Sequence, residues 1–337
     1  MQSKNEILEN LSVVVQGPIS DMSKGSLLSV RQYLPNCKII LSTWEGSDLD
    51  GLEYDELILS SDPQNDKDIH YPSNANRMIV STKAGLDAVT TKYVLKMRTD
   101  FILTGTNFID LFLLDAPEPQ EYKILKKRVV CYVWKPQRGR LFHCGDFYFF
   151  GLTEDLCKIW DLPLYTNEQF FYQNNNKSVN PIYRVKNPNQ FHVEQYIWIN
   201  LLKNNGVPCD IKDYTDWSHE YKLMTEKSFM SNAIFASFVE FSTFTHKPNL
   251  QKYNYPVQSR GYQFNDWVKL CRQYLDSSYQ PAYYPKTPSK LLKFAAIAFI
   301  KVPTRLFSNL FIHRKTRLKL RLAGEALIFK LFSRLSK

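Results

Sequence analysis

Residues 93–100, Tyr-Val-Leu-Lys-Met-Arg-Thr-Asp, deliver a guanidinium and a carboxylate together at the end of an apolar run. Arg98 and Asp100, leaving a strand end side by side, suit the handling of phosphate and metal. Ligands of open α/β sheets lie beyond the carboxyl ends of the strands, so a charged cluster there has a physical reason to be catalytic. The competing reading is a strand followed by an ordinary surface ion pair.

The elements needed to place that pair are legible around it. Leu11 to Val15 is a nearly continuous apolar run ending in Gln16-Gly17-Pro18, as a fully buried parallel strand breaking into a loop would. A helix is expected from about Lys24 to Leu34, and a second strand from Cys37 to Leu41 before Ser42-Thr43-Trp44. That order within about 30 residues is a βαβ unit, which predicts a right-handed crossover and parallel pairing. A third strand, Glu56 to Leu59, leads through a polar loop to a helix from about Asn74 to Ala88, and the fourth strand carries Arg98 and Asp100. No glycine-rich dinucleotide fingerprint follows the first strand, which disfavours a Rossmann dehydrogenase.

Beyond residue 101 the pattern loosens. Val129 to Trp134 and Phe147 to Phe150 read as strands, and Thr153 to Trp160 reads as a helix. Gln190 to Asn204 reads as a stronger helix, with Ile197, Trp198, Leu201 and Leu202 on one stripe. The asparagine-rich stretch from Gln173 to Asn189 reads as a loop. Lys96 is expected to alternate out of its strand to solvent.

Length and charge bound the remaining choices. At 337 residues and 44% hydrophobic the chain can bury a substantial core, so it is globular. The net charge of +10 is concentrated: residues 286–337 hold 13 Lys or Arg against one acid, Glu325, leaving a nearly neutral body. A neutral body with a basic end argues against a nucleic-acid groove and for a charged surface met at one end. Leu306, Phe307, Leu310 and Phe311 share one helical face there, as do Ile328, Leu331, Phe332 and Leu335. Basic amphipathic helices of this kind lie in a membrane interface, each cation near anionic lipid contributing about 1 kcal/mol. The expected division is therefore a domain over 1–285 and a membrane-associating tail over 286–337.

The six cysteines show no CxxC pair and no ligand spacing, which suits reduced thiols. Met1 to Asn10 has no apolar stretch, so no secretory signal is expected, and no run approaches the roughly 20 residues of a membrane span. The expected location is cytoplasmic, peripheral on the inner face of the cell membrane.

Four ordered blocks then carry a resemblance: Val13-Val14-Val15-Gln16-Gly17-Pro18-Ile19, Ile39-Ile40-Leu41-Ser42-Thr43-Trp44, Asn74-Ala75-Asn76-Arg77 with Ser81-Thr82, and Lys96-Met97-Arg98-Thr99-Asp100. Together they resemble the WavE lipopolysaccharide-synthesis family over about residues 10–205, more weakly through Gly145 to Gly151 and Glu194-Gln195-Tyr196. The resemblance implies an α/β fold, a GT-A-like Rossmann-type mixed sheet flanked by helices, here with the basic amphipathic tail added. It implies a glycosyltransferase using a nucleotide-sugar donor on a glycan or lipid-linked glycan acceptor in surface polysaccharide synthesis.

Such a transfer must neutralise a departing diphosphate, which a divalent cation, Mg²⁺ or Mn²⁺, does with only one or two carboxylates. Asp100 is the candidate ligand. Related folds usually carry Asp-x-Asp, and Arg98 stands where the first acid would be, so Arg98, with Arg77 or Lys96, is an alternative counter-charge. Gln16, Gly17, Pro18 and Thr43 are candidates for contact with the nucleotide; a plain turn is the other reading. Asn76 and Arg77 open a helix whose amides would face phosphate, or else form a cap with a solvated arginine. An inverting transfer also needs a carboxylate base; Glu194 is the first candidate and Asp146 the second. The histidines show no ligand spacing and read as ordinary, although His246 could approach the diphosphate. The alternatives are a sugar-phosphate nucleotidyltransferase and a non-catalytic membrane-bound adaptor.

Overall fold

The longest unbroken apolar runs become neighbouring strands of one sheet. The computed structural model describes residues 3–119, 121–175, 187–254 and 261–285. Its strands are β1 (Leu11–Gln16), β2 (Lys38–Trp44), β3 (Glu56–Ser60), β4 (Tyr93–Arg98), β5 (Ile102–Leu103), β6 (Val129–Val133), β7 (Cys144–Leu152), β8 (Ala233–Phe235) and β9 (Thr243–Phe244). Seven of them form a mixed sheet in the order β3-β2-β1-β4-β7-β6-β8, and β5 pairs with β9 separately. β1 runs parallel to β2 and β4, β2 to β3, and β6 to β8, whereas β7 is antiparallel to both β4 and β6. Six strands therefore end at the edge where β7 begins.

Helices cover both faces, giving the α/β class expected from the sequence. They are α1 (Lys4–Glu9), α2 (Ser23–Tyr33), α3 (Ala75–Asp87), α4 (Asn107–Phe112), α5 (Thr153–Trp160), the short α6 (Asn167–Phe170) and α7 (Tyr172–Asn175), α8 (Val193–Asn204), α9 (His219–Asn232), α10 (Phe238–Phe241) and α11 (Phe264–Tyr274). α3 packs on β1 and β2, and α5 on β4, β7 and α8, forming one layer. Gly85 lets α3 sit close against β1, since a Cβ there would lie 2.5 Å from Val14 Cγ1. On the other face Phe112 of α4 meets Tyr93 edge-on and Phe241 of α10 stacks on Tyr148.

Three expectations change. Lys96 does not reach solvent: it is 0% exposed, its ammonium donates to the Asp146 carbonyl and it lies 4.8 Å from the Trp160 ring centroid. Two-residue alternation yields an exposed face only where one side of a strand is bare, and α5 covers this one. Burial pushes the Lys96 amine down to about 7. The helix expected from Gln190 begins at Val193, because the backbone of Gln190 is tied to Gln169 and Tyr214. The loop expected over 173–189 starts as the helical turn α7, held by the Gln173 amide on Tyr214 Oη at 2.7 Å. Residues 176–186 and the basic tail, 286–337, lie outside the described residues.

Candidate active site

β4 ends beside β1 in register, Arg98 opposite Gln16. The Gln16-Gly17-Pro18 turn is clamped to this strand end, for Thr99 Oγ1 donates to the Pro18 carbonyl at 2.8 Å. Gly17 has φ +125°, and a Cβ there would meet Thr99 Oγ1 at 3.1 Å, so the turn requires glycine. Gln16 is buried and its amide oxygen accepts from Ser81 Oγ at 2.8 Å.

Arg98 holds two carboxylates at once. Its Nε and Nη2 donate to Asp100 at 2.9 and 2.7 Å, and Nη1 donates to Asp146 Oδ2 at 2.9 Å. Lys247 adds a second cation, its Nζ lying 2.8 Å from Asp100 Oδ2. Burial pushes the Asp100 carboxyl up, but the Arg98 guanidinium and the Lys247 ammonium outweigh it and keep it below the usual carboxylate range. Phe101 and Phe147 stack at 5.5 Å and flank the guanidinium, which excludes water from one side of the pair. Asp146 stands at the start of β7, on the same edge.

Glu194 arrives from a different element. It lies in the first turn of α8, which is anchored by the Gln195 amide on the Leu141 carbonyl at 2.8 Å. Its side chain is 25% exposed, and burial with the neighbouring Asp146 charge pushes the carboxyl up to about 7, against the opposing pull of Arg98 and Arg140. A carboxyl titrating near neutrality at the sheet edge has the property a general base needs.

The proposed nucleotide contacts thus divide. Gln16, Gly17, Pro18, Arg98, Asp100 and Asp146 meet at one edge. Arg77 instead engages Asp62 through two nitrogens at 2.8 and 2.7 Å, and its amide nitrogen donates to Gln64 Oε1. Asn76 is buried and brackets the Tyr165 backbone, donating to its carbonyl at 3.0 Å and accepting from its N–H at 2.7 Å. Thr43 is buried with its hydroxyl 3.3 Å from Ser47 Oγ. All three have structural partners in this arrangement.

Sequence reasoning did not single out Lys247 or Arg140, and it read His143 and His192 as ordinary histidines. Lys247 is brought to Asp100 by the β5–β9 pairing of Ile102 with Phe244, while the adjacent His246 is exposed. No local spacing announces that contact.

Two places bear on metal binding. Both Asp100 oxygens already accept from cations, so a divalent ion there would have to displace Arg98 and Lys247; the carboxylate as arranged does not fit one. The ligand-type atoms of His143, His192 and Glu194 lie within 4.8 Å of one another. However, the Asn187 amide nitrogen lies 3.4 Å from His192 Nδ1, and a nearby arginine charge disfavours a second cation.

Compared with family models, residues 11–294 match the one described as WavE lipopolysaccharide synthesis. The match extends beyond residue 205, where the motif blocks stop, and takes in Lys247. No curated protein matches the chain.

Proposed function

The chain belongs to the WavE lipopolysaccharide synthesis family, and we propose that it is a glycosyltransferase with a GT-A-like use of its sheet. It would move a sugar from a nucleoside-diphosphate donor to a surface polysaccharide or lipopolysaccharide acceptor. One observation carries this reading: two cations paired with Asp100 and the largely buried Glu194 carboxyl, which burial pushes up, share the edge where six strands end.

The division of labour follows from the geometry. The nucleotide lies along the Gln16-Gly17-Pro18 turn, where the glycine permits close backbone approach. The diphosphate draws Arg98 and Lys247 from Asp100, exchanging one anion for another at the same donors. In an inverting transfer Glu194 takes the proton of the acceptor hydroxyl, whose oxygen forms the new bond to the anomeric carbon. The bond to the diphosphate breaks with its electron pair on the departing oxygen, where the two cations stabilise the charge. Asp146 holds Arg98 in place throughout. No step is assigned to a metal, because Asp100 serves here as the resting partner of two cations.

Titration with a panel of nucleoside diphosphates tests the reading. Low-micromolar binding of one is expected, weakened about tenfold by Lys247→Ala, since a charge-assisted hydrogen bond contributes about 1.5 kcal/mol or more. Binding of none by the folded chain would refute it.

We assign the tail to the partner surface. Among the described residues no helix is long and apolar enough to cross a membrane, and the 13 cations of residues 286–337 suit peripheral attachment to anionic lipid. Deleting those residues should reduce sedimentation with anionic vesicles while leaving turnover of a soluble acceptor largely intact. Unchanged sedimentation would remove the membrane from the account.

A further inference from the structure

One cation near Glu194 lacks the partner that the others have. Arg98 holds Asp100 and Asp146, and Lys247 holds Asp100. The Arg140 guanidinium lies over Trp134, 4.3 Å from its ring centroid, but among the described residues no hydrogen bond or ion pair engages it. Its Nη1 is buried without an acceptor among those residues. Buried polar groups are normally satisfied, so an arginine left in this state points to an acceptor supplied from outside the chain.

Two imidazoles extend the same patch. The Trp134 ring lies 5.5 Å from His143, and His143 lies 5.4 Å from His192. Burial, reinforced by Arg140, holds His192 down to about 4, and burial with the neighbouring His192 and Arg140 holds His143 well below its ordinary value. Both rings are therefore neutral at pH 7. The Asn187 oxygen accepts from the Asn189 N–H at 3.3 Å, which turns the amide nitrogen toward His192 Nδ1 at 3.4 Å. Assigned from that pattern, His192 Nδ1 accepts and its proton sits on Nε2. His192 then presents an N–H donor where a metal would need a lone pair. Among the described residues His143 Nδ1 is buried with no partner, and its Nε2 lies 3.8 Å from Glu194 Oε2, so the patch adjoins the candidate base.

We infer that Arg140, with His192 and His143 beside it, binds an oxyanion on the acceptor, a phosphate or carboxylate carried by the sugar that receives the new bond. The inference rests on the transferase reading, because it assigns the anion to the acceptor on the strength of its place next to Glu194. A guanidinium presents paired N–H donors that match either group, and the neutral imidazoles add hydrogen bonds without a competing charge. Anchoring a fixed anion beside the base would orient the neighbouring hydroxyl toward Glu194, a gain from positioning.

The test uses the full chain with glucose 6-phosphate, glucuronate and glucose as probes, followed by ligand-observed NMR, with a nucleoside diphosphate titrated in parallel. At least one anionic sugar should bind and glucose should not; whichever anion binds more tightly identifies the group. Arg140→Gln should weaken that binding at least tenfold, Arg140→Lys should restore part of it, and both should leave nucleoside diphosphate affinity unchanged. Glucose binding as well as the anions, or anion binding indifferent to Arg140→Gln, would overturn the inference. Equal loss of diphosphate binding in Arg140→Gln would overturn it too, by placing Arg140 in the donor site. So would one Zn²⁺ per chain that displaces the sugar, because the histidines would then be metal ligands. Failure of the folded wild type to bind any nucleoside diphosphate would instead count against the transferase itself, whatever the sugars do.

Discussion

Glu194→Gln should reduce sugar transfer by about 10²–10⁴-fold, the usual contribution of a positioned base, and at pH 8 should make the protein more stable. The two effects have one cause. Burial and the Asp146 charge raise this carboxyl from 4.5 to about 7, so the fold favours its protonated form. Arg98 and Arg140 act in the opposite direction, while His143, at 3.8 Å, and His192 are neutral and add no charge near pH 7.

The sign of the linkage follows. An acid whose folded pKa lies above its unfolded value contributes stability that is complete at low pH. That stability is lost as pH rises from 4.5 toward 7, by at most about 3 kcal/mol. Glutamine removes the penalty, so the thermal midpoints of variant and wild type should converge below pH 4.5 and separate at pH 8. Wild-type transfer should rise with pH through about 7 as the base loses its proton. Transfer within a few-fold of wild type in the glutamine variant, or a rate flat from pH 6 to 8, would exclude Glu194 as the base.

Arg98→Met should have the largest effect on the fold, about 3–5 kcal/mol at pH 7, as expected when one partner of a buried ion pair is removed. The arginine side chain is 20% exposed, and its carboxylate partners Asp100 and Asp146 are 14% and 9% exposed. Without the guanidinium, Asp100 retains Lys247 but Asp146 loses its ion pair. Arg98→Lys should separate the two roles. An ammonium keeps the charge but cannot donate to both carboxylates in one plane, so stability should return in part while diphosphate binding remains impaired. Urea unfolding at pH 7 measures the first effect. A loss under about 1 kcal/mol for Arg98→Met would show that the network contributes little to the fold.

Much of the architecture was legible because the signals are local. β1 to β4 announce themselves as apolar runs that end in polar residues, and α5 was read from Thr153 to Trp160, the span it occupies. The short elements α10 and β9 were not read, since four and two residues carry too little periodicity. Lys96 departs from its expected place for a related reason: a charged residue in a strand suggests an exposed side, and only tertiary packing shows that Trp160 closes it.

The site divides along the same line. Arg98, Asp100, Asp146 and Glu194 could be singled out because acids and a base at element ends are visible in one dimension. Which charges neutralise which could not. Lys247 is 147 positions from Asp100 in sequence, and Arg140 lies near enough to Glu194 to lower its pKa yet makes no ion pair among the described residues.

The order of residues by itself determined the sheet-forming runs, the family's motif blocks and the concentration of positive charge after residue 285. It took the folded arrangement to set Asp100 between two cations, to tie Asn76 to Tyr165 and Arg77 to Asp62, and to leave Arg140 without an ion pair among the described residues. Burial of a hydrophobic run follows from its own composition, whereas the partner and protonation of a charged group depend on what distant segments bring within a few ångströms of it.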